Sequence, residues 1–170
     1  MLQGKKVYLR CITIEDTQNI INWRNKKYVR DNFIYRELFT KESHEKWMQE
    51  MVYTGKVKQF IIVEKEKNIS IGSTYLRDID NEHLKAEYGI FIGDENSLGK
   101  GYGSEVAELM CDFAFKELKL NKVFLRVFAE NKRAIRSYQK AGFQEEGCFK
   151  KDIRIENEYH DIVFMAKFNN

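Results

Sequence analysis

The stretch Leu98-Gly99-Lys100-Gly101-Tyr102-Gly103-Ser104 sets three glycines where a strand pattern hands over to a helix pattern. Before it, Tyr88 to Ile92 is an apolar run that reads as a buried strand. After it, Val106, Leu109, Met110 and Phe113 fall on one face of a helix. Glycine admits positive φ and lets a backbone approach a ligand closely. The first N–H groups of a helix have no internal partner, and the helix dipole favours an anion there. The physical reading is a phosphate cradle; taken alone, such a turn reads equally as a tight loop.

The residues that follow narrow the choice. Lys122–Ala129 reads as a second apolar and β-branched strand. Asn131 comes next, then a short helix carrying Ala134, Ile135 and Tyr138 that ends at Gly142. Gly-rich turn, helix, strand, Asn, helix, Tyr, Gly-Phe: this order resembles the acetyl-coenzyme A binding half of the GNAT N-acetyltransferase superfamily. The family turn Q/R-x-x-G-x-G/A is matched at Gly101 and Gly103, with Leu98 standing at the Gln/Arg position. The family's N-x-x-A-x-x-x-Y-x-x-x-G-F is matched at Asn131, Ala134, Tyr138, Gly142 and Phe143. The resemblance implies acetyl-CoA as cofactor, its pyrophosphate on the segment Leu98, Gly99, Lys100, Gly101, Tyr102, Gly103 and Ser104. It also implies contacts to the pantetheine arm from the backbone of Ile90, Phe91 and Ile92, as an added strand would make, and from Asn131, Ala134 and Tyr138.

Composition sets outer limits. The chain has 170 residues, 43% hydrophobic and 32% charged, which suits one folded domain with a sizeable core. A formal net charge of +3 is too small to imply nucleic acid or membrane as a partner, though it suits a polyanionic cofactor. Cys11, Cys111 and Cys148 show no metal-ligand spacing and read as structural thiols; no metal is expected. No stretch is long and apolar enough to span a bilayer and no signal-peptide run opens the chain, so the cytoplasm is the default expectation.

In chain order, Lys6–Ile12 alternates as a first strand with Val7, Leu9 and Cys11 on one face. Thr13 caps a helix running to about Asn25. Asn25–Phe39 lacks periodicity and reads as a loop, and Thr40 restarts a helix through about Met51. Strands are expected at Gln59–Glu64, Ile69–Leu76 and Ala86–Ile92, then at Glu145–Arg154 and Glu158–Phe168, with Asn157 near the last turn. That succession is the GNAT order over essentially the whole chain. The resemblance implies an α/β fold: a mixed, mostly antiparallel sheet of about seven strands flanked by about four helices. In that fold the fourth and fifth strands are parallel and splay to admit the pantetheine arm. Exposed strands in such folds commonly support a homodimer, which the sequence alone does not establish.

Acetyl transfer to an amine needs a neutral amine, a stabilised oxyanion and a protonated leaving thiolate. Glu87, at the start of the central strand, is the candidate base, acting directly or through water; the bland alternative is a strand glutamate paired with a cation. Tyr138 is the candidate acid, since a phenol can protonate the leaving sulfur; the alternative is a core tyrosine. Asn131 orients the arm, caps the helix, or both. A backbone N–H, that of Ile90 for instance, would hold the oxyanion. Direct transfer in a ternary complex is the expectation. A rival reading of another class, supported by Leu98 alone, is a coenzyme A-binding module without catalysis.

The acceptor is sought in the N-terminal third. Trp23-Arg24-Asn25, Val29-Arg30 and His44-x-x-Trp47 resemble the GNAT branch that acetylates the 4-amino group of nucleotide-linked amino sugars in pseudaminic acid synthesis. Glu146-Gly147 and Asn157-Glu158-Tyr159-His160-Asp161 fit that branch, but fit the ribosomal-protein and spermidine branches equally. On this reading Arg24 and Arg30 bind a diphosphate while Trp23 and Asn25 line the acceptor beside Glu87. Two core tryptophans on packed helices are the alternative for Trp23 and Trp47.

Overall fold

Strand β3 (Lys58–Glu64) carries an unbroken apolar run and is buried on both faces, the pattern of a central strand. Its alternation sorts the core into two compartments. Phe60 and Ile62 pack beneath the helix that follows the glycine turn, whereas Ile61 and Val63 face the N-terminal helices. The structure, a computed structural model, describes residues 1–169.

Eight strands form one sheet in the order β1-β2-β3-β4-β5-β6-β8-β7. They are β1 (Leu2–Gln3), β2 (Val7–Cys11), β3, β4 (Ile69–Asp80), β5 (Lys85–Ile92), β6 (Lys122–Phe128), β7 (Gln144–Ile155) and β8 (Glu158–Phe168). The expected count of seven becomes eight because Leu2–Gln3 adds a two-residue pairing to β2. Among the described residues only β5 and β6 pair in parallel, through Lys85↔Lys122, Ala86↔Val123 and Glu87↔Phe124. Beyond Glu87 the two strands part. The splayed pair expected as the fourth and fifth strands is therefore β5 and β6.

Helices α1 (Thr17–Arg24), α2 (Lys27–Arg30) and α3 (Lys41–Trp47) lie on one face of the sheet. The expected helix from Thr13 is split: a short turn at Ile14–Asp16 precedes α1, and Asp16 Oδ2 accepts from the Thr13 N–H at 2.9 Å. Thr40 and Ser43 cap α3 reciprocally, at 3.1 and 3.0 Å. The segment Asn25–Phe39, expected as loop throughout, contains the single turn α2. On the other face, α4 (Tyr102–Lys116) buries Val106, Ala107, Met110, Cys111 and Ala114, and α5 (Lys132–Lys140) packs beside it. Of the three thiols only Cys111 is buried; Cys11 shares the face of Val7 and Leu9 as expected, the register with β3 being unbroken, but lies exposed at the strand end, and Cys148 is exposed too. Among the described residues no helix is long and apolar enough to cross a membrane.

Candidate active site

The parting of β5 from β6 opens a cleft of about 350 Å³ between the two helical layers. On the α4/α5 side it is walled by Tyr88, Ile90, Ile92, Leu98, Gly103, Asn131, Ala134 and Tyr138; on the other by Tyr28, Val29 and Asn32–Tyr35 with Tyr75, Arg77, Glu87 and Arg126.

The glycine turn meets the expected geometry. Gly99 and Gly101 take φ of +77° and +84°, and Gly101 is the residue preceding the first turn of α4. Among the described residues no hydrogen bond is donated by the N–H groups of Gly99 through Ser104. A Cβ at Gly103 would lie 3.1 Å from Ser137 Oγ, so the glycine also sets how closely α4 approaches α5. Positive charge comes from exposed Lys100 and from Lys6, whose Nζ donates to the Lys100 carbonyl at 3.1 Å. Lys6 was not legible as a site residue, since it lies ninety-four positions away in the chain. Tyr102 differs from expectation in its side chain: the ring is buried and its hydroxyl donates to Glu64 Oε1 at 2.7 Å, leaving only its backbone for a ligand. Open donors, left-handed glycines and nearby lysines fit a pyrophosphate.

Along β5, the β6-facing groups of Tyr88 to Ile92 lie beyond the last strand pair, as an added-strand mode requires. The side chains of Ile90 and Ile92 pack toward α4 and α5, and Phe91 packs toward α1. Asn131 caps α5, its Oδ1 accepting from the Ala134 N–H at 3.1 Å, while its Nδ2 donates to Asn32 Oδ1 at 3.0 Å. Tyr138 sits edge-on to Tyr88, ring centroids 6.1 Å apart, and burial raises its phenol well above the ordinary value. Tyr88 buries its own hydroxyl without a partner among the described residues, and burial raises that phenol too.

The opposite wall departs most from the sequence reading. Glu87 is buried, and both its oxygens accept from arginines: Arg77 Nε at 3.0 Å, Arg126 Nε at 2.9 Å and Arg126 Nη2 at 3.3 Å. A carboxylate so engaged has few lone pairs left for an amine. Of the four N-terminal residues expected at the acceptor, none lines the cleft. Trp23 is buried against Phe91 and against Gly93, where any side chain would overlap its indole. Arg24 is buried under aromatic rings, 3.6 Å from the centroid of Phe33 and 4.6 Å from that of Phe39, and desolvation lowers it to about 10. Asn25 braces the loop by bonding both backbone groups of Phe39, at 2.8 and 2.7 Å. Arg30 is half-buried at the end of α2, away from the wall. His44 bonds Thr17 in the core and half-buried Trp47 bonds Gln59, at 3.0 Å each.

Sequence reading also passed over Tyr75. Its ring lies across Gly89, where a Cβ would overlap it, so the glycine makes room for an aromatic at the mouth of the splay. A lone glycine inside a strand pattern is the signal that could have pointed there.

Residues 6–144 match the acetyltransferase (GNAT) domain family. The chain belongs to that family. This GNAT acetyltransferase is 27% identical over 171 residues to spermidine N(1)-acetyltransferase of Vibrio cholerae, covering 98% of each chain. It is 30% identical over 95 residues to a putative ribosomal N-acetyltransferase of Bacillus subtilis, covering 56% of this chain and 51% of that one. The crystal structure of Vibrio cholerae spermidine N-acetyltransferase with CoA and spermine superposes with a TM-score of 0.89, at 24% identity and 96% and 95% coverage. It shares the fold described above. Family membership makes the chain an N-acetyltransferase with acetyl-CoA as its cofactor.

Proposed function

We propose that this acetyltransferase delivers the acetyl group directly to the neutral form of a small-molecule primary amine that is not a free polycation. The observation that carries this reading is the charge of the wall: Glu87 is the one carboxylate lining the cleft among the described residues, and two arginines hold it. Polyamine recognition calls for carboxylates with free lone pairs, and this wall offers none.

Acetyl-CoA, when bound, supplies the activated thioester. The open N–H groups at the start of α4, with Lys6 and Lys100, would hold its pyrophosphate, and the unpaired edge of β5 would hold its pantetheine amides. Tyr138 keeps its proton far above neutral pH and serves as the acid at the cleft end of α5. The amine attacks in its neutral form, and the proton its nitrogen loses as the amide forms replaces the one that Tyr138 gives to the leaving sulfur. Glu87 then acts by holding Arg77 and Arg126 in place rather than by abstracting a proton.

A polyamine acceptor is the second reading, favoured by the spermidine enzyme among the relatives. Thiol release from acetyl-CoA with spermidine, a UDP-linked 4-amino sugar, and a peptide with a free N-terminus separates the two. Efficient turnover of spermidine above the other two would overturn the first reading.

A further inference from the structure

We infer that the acceptor amine carries an acidic group, carboxylate or phosphate, that docks on the N–H groups of Arg77 and Arg126 left free by Glu87. This rests on the reading above and adds the chemistry of the rest of the acceptor. Arg77 on β4 stands directly across from Glu87 on β5, and Arg126 reaches the same carboxylate from β6 beyond the splay. Each guanidinium has five N–H donors, and Glu87 engages Nε and Nη2 of both, so each arginine keeps three. Both side chains remain about a quarter exposed, at 25% and 23%, and both line the cleft.

One arginine would neutralise Glu87; the second leaves a surplus cation at the cleft wall. Asp78 approaches Arg77 at 3.7 Å, but it is 69% exposed and does not line the cleft. Behind Phe33 and Phe91 lies Arg24, buried, with Nη1 lacking any partner among the described residues, and it adds to the same sign. Half-buried Tyr28 and Phe33 frame the wall and limit water, which strengthens pairing of an anion with a planar fork of donors. Carboxylate and phosphate both suit that fork.

The test compares matched amines by thiol release: β-alanine against β-alaninamide, and 2-aminoethyl phosphate against ethanolamine. In the wild-type protein the acidic member of at least one pair is expected to exceed its neutral partner in kcat/KM by tenfold or more, and the pair that shows it separates carboxylate from phosphate. Arg77→Gln is expected to bring that ratio below threefold, with Arg77→Lys between. Should Arg77→Gln fail to fold, propionate and methyl phosphate serve on the wild-type protein: one of them is expected to compete with the amine but not with acetyl-CoA. Equal rates within both pairs, an unchanged ratio in Arg77→Gln, or no competition by either anion overturns this inference alone. Turnover of spermidine above every acidic amine overturns the acceptor reading with it.

Discussion

Asn131 Nδ2 donates to Asn32 Oδ1 at 3.0 Å, tying the cap of α5 to the loop after α2 across the cleft. The same Asn131 accepts from the Ala134 N–H, so its two side-chain atoms do different work. Asn32→Ala removes only the bridge, an exposed hydrogen bond worth about 1 kcal/mol or less. Asn131→Ala removes the cap as well and should cost about 1 kcal/mol more. Urea unfolding of the two variants checks the order; equal losses would mean that the cap contributes nothing.

Tyr138→Phe should lower kcat by about a hundredfold or more, the usual range for a general acid, with CoA affinity changed less than twofold. The ring keeps its contacts with Tyr88 and Phe143, so stability should barely move. Single-turnover rates and calorimetric titration with CoA read the two separately. Unchanged turnover would remove Tyr138 from the chemistry.

Gly101→Val and Gly103→Val should both weaken CoA binding by more than tenfold, for different reasons. The first places a β-branched residue at φ +84°, a strained conformation for an L-residue. The second drives a side chain toward Ser137 Oγ and pushes α5 away from α4. Ser137→Gly added to Gly103→Val should recover part of the lost affinity, but added to Gly101→Val it should recover none. Titration with CoA measures all four.

Gly89→Ala should displace the Tyr75 ring, at a stability cost of about 1–3 kcal/mol for overpacking. Adding Tyr75→Ala removes the overlap, so the double variant should lose less than the sum of the singles. Additive losses in thermal melts would mean that the ring can move aside freely.

Burial pushes the Cys111 thiol from 9.0 up to about 12. Above pH 9 the unfolded thiol releases its proton while the folded one keeps it. The unfolded state then binds fewer protons, and stability falls with rising pH until the folded thiol titrates near 12. Cys111→Ala should flatten the slope of stability between pH 9 and 10 by up to about 1.4 kcal/mol per pH unit. Urea midpoints across that window test it; parallel slopes would refute the shift.

The strand order, the glycine turn and the cap at Asn131 were all legible in the sequence, because each depends on a few neighbouring residues. A missing Cβ, a left-handed φ and a side chain that caps its own helix are local properties, and apolar periodicity marks which face of α4 is buried. The company of Glu87 was not legible. Arg77 reaches it across a hairpin ten residues away and Arg126 from thirty-nine, a pairing set by register and by where β5 and β6 part. Trp23, Arg24 and Asn25 form a polar-aromatic cluster that reads as a binding surface, yet packing turns them into the core and the loop. So the sequence by itself determined the fold and the conformation of the glycine turn, through short-range conformational preference. Only the tertiary structure decided whether a charge is free or spent, because an ion pair depends on which distant residue the sheet brings alongside.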